Sequence, residues 1–120
     1  MRILVCGDRN WTDYAMIRNE LAAFNTTENR PITVIDGVAR GADFLGHEAA
    51  LGLGYGSIRF PAKWAMYGRG AGHIRNQQML DEGHPDLVLA FHDDLAHSKG
   101  TAHMVRIARK AGIPVRVVRH

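Results

Sequence analysis

Arginines, lysines and glycines gather in four short stretches of this sequence. Gly7 accompanies Arg9, Gly37 and Gly41 flank Arg40, Gly70 and Gly72 lie among Lys63, Arg69 and Arg75, and Gly100 follows Lys99. Glycine lets backbone N–H groups approach an anion closely, and Arg or Lys supplies full charge, Arg in a bidentate fork. The chemistry such a mixture performs is phosphate binding. Residues 7–12 (GDRNWT) lack the second and third glycines of G-x-G-x-x-G, and no G-x-x-x-x-G-K-[ST] string occurs, which argues against an ordinary dehydrogenase and a P-loop NTPase. Residues 37–43 (GVARGAD) are the best local candidate for gripping phosphate. The alternative is a tight turn whose glycines serve backbone geometry alone.

These stretches need elements to position them. Residues 2–6 (RILVC) form an apolar run stopped by Gly7, which predicts a central strand buried on both faces. Thr12 or Asp13 can cap a helix carrying Ile17, Leu21 and Phe24, which residues 25–30 then break. Residues 32–35 (ITVI) predict a second strand and 42–53 a helix with Leu45, Ala49 and Leu53 on one stripe. A third strand over 57–60 is followed by a longer loop over 61–70 bearing Lys63, Trp64 and Tyr67. A helix over 71–82 ends at Gly83. Residues 86–91 (DLVLAF) predict the fourth strand, 100–111 a helix with Met104, Ala108 and Ala111 in register, and 115–118 the fifth strand. This alternation predicts an α/β fold, a three-layer Rossmann-like sandwich with a parallel five-stranded sheet and helices on both faces. One domain is expected over 1–120. Ligands of such sheets bind beyond the carboxyl ends of the strands, where strand order reverses, and the basic, glycine-rich stretches all fall at that edge.

Composition narrows the partners. The 120 residues are 46% apolar and 22% charged, enough for one ordinary core, and the single Cys6 cannot form an internal disulfide. No basic-then-apolar leader and no apolar run near the ~20 residues of a membrane helix are seen, so a soluble, cytoplasmic protein without a membrane partner is expected. A net charge of +3 and a pI near 9.4 fit an anionic partner. Of 15 basic residues only Lys63, Lys99 and Lys110 are lysine, which a GC-rich genome or a use for bidentate phosphate contacts would equally produce.

Other residues have two readings. Trp11 and Trp64 lie in different loops of one edge, where an indole could stack on a nucleobase or serve as core or lid packing. Asp93 and Asp94 could hold Mg²⁺ through water or form a solvated acidic loop. The seven histidines are dispersed and no paired C-x-x-C or H-E-x-x-H accompanies them, so no metal site is expected. His103 faces either the site or solvent. Cys6 ends a buried strand and reads as packing. Tyr67 and Asn10 are placed to supply hydrogen bonds.

Residues 6–11 (CGDRNW), 36–43 (DGVARGAD), 60–64 (FPAKW), 71–76 (AGHIRN) and the final Lys99-Gly100-Thr101 resemble the small YspA/YpsA-like branch of the SLOG superfamily, nearly end to end. That superfamily is named for the Smf/DprA DNA-processing proteins and the Lonely-Guy phosphoribohydrolases. The resemblance implies a Rossmann-like domain that binds a nucleotide, a nucleotide-derived ligand or single-stranded DNA. It assigns Gly7 and Arg9 to the first loop of the ligand slot, Gly37, Arg40, Gly41 and Asp43 to the second, Arg75 and Asn76 to the third, and Lys99, Gly100 and Thr101 to the fourth. Asp43 could accept from ribose hydroxyls or simply complement the helix dipole. Lonely-Guy-type enzymes carry P-G-G-x-G-T-x-x-E, and here Met104 stands at the Glu position while Phe91-His92-Asp93-Asp94 replaces the Pro-Gly-Gly neighbourhood. Met is neither an acid nor a base.

The leading expectation is therefore a module that binds or senses a nucleotide-derived small molecule such as ADP-ribose, without a required cofactor and with Mg²⁺ as the ion a phosphorylated ligand could bring. Single-stranded nucleic-acid binding and a nucleotide N-glycosidase using Asp8, Asp36 or Asp43 are the alternatives. Related Rossmann-like proteins often self-associate, which makes a homodimer an expectation. Arg40→Ala and Arg75→Ala should each weaken ligand binding by about 1.5–3 kcal/mol, and Arg109→Ala, late in its helix, should leave it unchanged. Titration calorimetry on the three variants reads this directly, and equal losses would mean a diffuse basic surface.

Overall fold

The computed structural model describes residues 1–26 and 31–120. Strands β1 (Arg2–Gly7), β2 (Thr33–Asp36), β3 (Gly56–Arg59), β4 (Leu87–Phe91) and β5 (Val115–Val118) form one parallel sheet in the order β3-β2-β1-β4-β5. Around it lie α1 (Tyr14–Ala22), α2 (Ala42–Gly52), α3 (Trp64–Tyr67), α4 (Ala71–Gly83) and α5 (Gly100–Lys110). This is the α/β, Rossmann-like arrangement expected.

Alternation along the central strands separates two cores. Ile3 and Val5 of β1, with Leu89 and Phe91 of β4, pack against Ile17 and Leu21 of α1 and Ala49 of α2. Leu4, Cys6, Val88 and Ala90 point the other way, toward Met79 of α4 and Met104 and Ala108 of α5. The apolar runs without polar alternation in β1 and β4 are thus explained by a helix layer on each face. Asp13 caps α1, its Oδ1 accepting from the Met16 amide at 3.1 Å. The chain continues from α1 as a 3₁₀ turn, Ala23–Thr26, which carries Phe24. Of the stretch expected to break that helix, residues 27–30 lie outside the described residues.

The segment 61–70, expected to be a loop, instead forms α3 and a 3₁₀ turn, Gly68–Gly70. The Lys63 carbonyl accepts from the Met66 and Tyr67 amides at 3.0 Å each. Neither piece buries a residue, so no apolar period marked them in the sequence. Among the described residues no helix is long and apolar enough to cross a membrane.

Strand order reverses between β1 and β4, whose registers end at Gly7↔Phe91. A Cβ on Gly7 would collide with the Phe91 carbonyl oxygen and the Ala42 side chain, so only glycine lets β1 turn into its loop here. Gly7→Ala should destabilise the fold by at least ~2 kcal/mol, whereas Gly100→Ala, where a Cβ meets open space, should stay within about 0.5 kcal/mol. Urea midpoints of the two variants compare them.

Candidate functional site

Two buried carboxylates shape the loop that leaves β2. Asp36, fully buried, accepts from Arg59 of the neighbouring strand, Nε to Oδ2 at 3.0 Å and Nη2 to Oδ1 at 3.1 Å, and its Oδ1 also takes the Val38 amide at 2.7 Å. Asp43, in the first turn of α2, accepts the Gly37 amide at 2.9 Å and the Ala39 amide at 3.5 Å on Oδ2. The amides of 37–39, candidates for gripping phosphate, are therefore engaged by the chain's own carboxylates. This is the backbone-geometry reading of the turn. Val38 is held at φ 63°, a conformation that a β-branched residue rarely adopts. Gly41, at φ 74°, lies so close to the Asp8 and Arg9 carbonyl groups that a Cβ would clash, and the Ala42 amide bonds Asp8 O at 3.1 Å. The β1–α1 and β2–α2 loops are thereby docked together.

Over the carboxyl ends of β1 and β4 opens a cleft of about 430 Å³. Gly7, Arg9, Arg40, Asp43, Arg75, Asn76, Lys99, Gly100 and Thr101 all line it, over a buried lining of Cys6, Met79 and Met104. Gly37, Gly41 and Trp11 do not. Trp11 is buried, packs edge-on against Phe91, stacks on His120 at 4.4 Å and donates to the Asp13 carbonyl, so its ring serves packing. Trp64, by contrast, is half exposed.

Each cleft residue has a distinct environment. Arg9 and Arg40 are exposed at the mouth. Arg75 donates from Nη1 to the Gly37 carbonyl and from Nε to Asn76 Oδ1 at 3.0 Å. Burial lowers its pKa, with Asp43 pulling the other way and Arg9 reinforcing the fall. Its truncation therefore removes support for the loop as well as a charge. Asn76 is a clamp: Nδ2 donates to the Gly100 carbonyl at 3.2 Å and to His103 Nδ1 at 3.1 Å, tying α4 to the start of α5. His103 then carries its proton on Nε2, lies parallel to His73 at 3.9 Å and stays outside the cleft lining. At the α5 N-terminus, Ser98 Oγ accepts the Ala102 amide and the Lys99 carbonyl that of His103. The Gly100 and Thr101 amides have no partner among the described residues, which leaves donors and the positive end of the helix dipole for an anion.

Asp93 and Asp94 turn to histidines. Asp93 takes the His120 amide and ring nitrogen at 2.7 Å each, and Asp94 takes His97 Nδ1 at 2.7 Å. Among the described residues no group of three or more His, Cys, Asp or Glu is placed to hold a metal ion. Sequence reasoning missed Arg59 and Val38. The signal for Arg59 was a cation ending a half-buried strand in register with Asp36, legible only once β2 and β3 are paired.

Asp43 is the unusual acid of the cleft. Burial, then the neighbouring Asp36, pushes its pKa from 3.8 up to about 6, against the opposing Gly37 amide and Arg75. Burial also raises the Cys6 thiol, which stays neutral.

The profile of the YspA, cpYpsA-related SLOG family (YAcAr) matches residues 1–67. The "Gene 61 protein" of Mycobacterium phage D29 is 36% identical over 119 residues, covering 95% of this chain and 93% of that one. No solved structure matches the chain.

Because the Asp43 pKa is higher in the folded than in the unfolded chain, the stability tied to its protonated form is complete below about pH 4 and lost as pH rises through about 6. The loss is on the order of 3 kcal/mol for a two-unit shift. Asp43→Asn should remove it, so the melting-temperature difference between variant and wild type should grow in the variant's favour from pH 4 to 7.5. His103, whose pKa burial lowers, titrates in the opposite sense in both proteins and cancels in that difference.

Proposed function

The chain belongs to the YspA, cpYpsA-related SLOG family, and from that premise we propose that its cleft binds a nucleotide-derived small molecule, with ADP-ribose as the representative ligand, and acts as a binding or sensing module. The observation that carries this reading is the meeting of two unpartnered amides at the α5 N-terminus with Arg9, Arg40 and Lys99 over one cleft at the strand-order reversal. Helix-end amides and guanidinium groups together are a phosphate site. Thr101, nearly buried in the cleft wall, adds a hydroxyl, and Asp43 supplies an acceptor for a ribose hydroxyl when ionised or a donor when protonated.

One observation favours turnover as a second reading. A carboxyl group titrating near pH 6 in a cleft suits general acid–base chemistry, and N-glycosidic cleavage needs such help. Met104 occupies the wall where a Lonely-Guy-type enzyme would carry its Glu, and its thioether moves no proton. Asp43, or Asp8 in the same cleft lining, would have to do that work.

Calorimetry against AMP, ADP-ribose, NAD and cyclic nucleotides should find a ligand bound more tightly than about millimolar, and Lys99→Ala or Arg40→Ala should cost it about 1.5–3 kcal/mol. Binding of single-stranded oligonucleotides alone, with a steep salt dependence, would replace this reading with nucleic-acid binding. Incubation with nucleoside monophosphates and NAD should release no free base. Release that vanishes in Asp43→Asn and persists in His103→Ala would make the protein an enzyme with Asp43 as its carboxylate.

A further inference from the structure

A second compartment, of about 480 Å³, adjoins the cleft and shares Arg9, Ala39, Arg40 and Arg75 with it. Its remaining walls are Gly37, Val38, Pro61, Ala62 and Trp64, so among the described residues its only charged side chains are the three arginines on the common border. The first compartment holds the polar equipment: the α5 amides, Thr101 and Asp43. The second offers flat apolar surface. Trp64 exposes half of its area and has no aromatic partner among the described residues, unlike Trp11, whose ring is spent on Phe91 and His120. Gly72 of α4 lies beneath the indole edge, where a Cβ would make an ordinary 3.5 Å contact with it. The Val38 wall is bought at the strain of a positive φ, which the Asp36 and Asp43 hydrogen bonds sustain.

We propose that this second compartment is a nucleobase subsite. The inference rests on the ligand reading of the cleft and assigns that ligand an orientation and a class. The base lies on the Trp64 indole beside Val38 and Pro61, a diphosphate runs from the Arg9, Arg40 and Arg75 border to the α5 amides, and the distal sugar reaches Asp43. The exposed Arg9 and Arg40, with the donors that Arg75 does not spend on Gly37 and Asn76, spread positive charge over more than a single phosphate dianion needs, and a mononucleotide would fill only one compartment. The class is therefore a nucleoside diphosphate carrying a second sugar. Stacking on Trp64 reads a π-face, which every base has, so the subsite selects for an aromatic ring before it selects among bases.

The test uses ADP-ribose, AMP, ribose 5-phosphate and pyrophosphate as probes for wild type, Trp64→Ala and Trp64→Phe, by calorimetry at one salt concentration, with a thermal melt of each variant as a folding check. Trp64 is half exposed, so both variants should fold. ADP-ribose should bind most tightly and quench indole emission in wild type. Trp64→Ala should weaken ADP-ribose and AMP by roughly tenfold to a hundredfold, leave ribose 5-phosphate and pyrophosphate unchanged, and abolish the quenching, while Trp64→Phe recovers most of the affinity. ADP-ribose binding that Trp64→Ala leaves intact, or an equal loss for ribose 5-phosphate, overturns the subsite and leaves the cleft reading standing. Failure of all four probes, and of NAD and the cyclic nucleotides, to bind wild type overturns the cleft reading itself, and the subsite with it.

Discussion

Two carboxylates with almost no access to water, Asp36 and Asp43, hold the backbone of residues 37–39 from opposite ends, and the site is arranged around them. A buried carboxylate is tolerated only when its oxygens are satisfied, and each of these takes loop amides as part of that satisfaction. The loop so fixed presents its Gly37 carbonyl to Arg75, and Arg75 in turn holds Asn76, which reaches the first residue of α5. Three segments far apart in the chain are thus linked by hydrogen bonds into one frame. The conformational cost of ordering this backbone frame is met during folding.

The electrostatics follow from that frame. Arg9, Arg40 and Lys99 stand at the mouth in contact with solvent, while Arg75 and Asp43 lie deeper, beside the neutral Cys6 thiol and the Met79 and Met104 side chains. Apolar surroundings strengthen interactions between the deep pair and anything placed against them. They also explain why Asp43 resists ionisation although a guanidinium group is near: desolvation and the second carboxylate outweigh it. An arriving phosphate would add to the same pressure and favour the protonated acid.

Much of this was legible from residue order. Apolar runs, caps and glycines located the strands and the longer helices, because two-sided burial of β1 and β4 and the amphipathic α1 write their periods directly into the sequence. The cleft residues Arg9, Arg40, Arg75 and Lys99 were identifiable because a parallel sheet places every loop after a strand at one edge. What stayed hidden depends on pairing or on side-chain direction. The ion pair of Asp36 and Arg59 exists only through the β2–β3 register. The two tryptophans are chemically alike in sequence, and only tertiary packing separates Trp11 in the core from Trp64 on the surface. Asn76 was legible as a cleft residue, while the bonds of its amide to Gly100 and His103, which brace α4 against α5, were not. The short α3 buries nothing and so left no pattern to read.

Arg59 belongs to β3, which pairs with β2 on one side and ends the sheet on the other. Marginal strands ordinarily exchange their amide protons through local fraying at small free-energy cost. Here fraying would take from the fully buried Asp36 its guanidinium partner, a side chain itself 29% exposed, so opening the margin breaks a part-buried ion pair. Opening of the sheet margin and of the loop after β2 is thereby coupled through one carboxylate, Asp36.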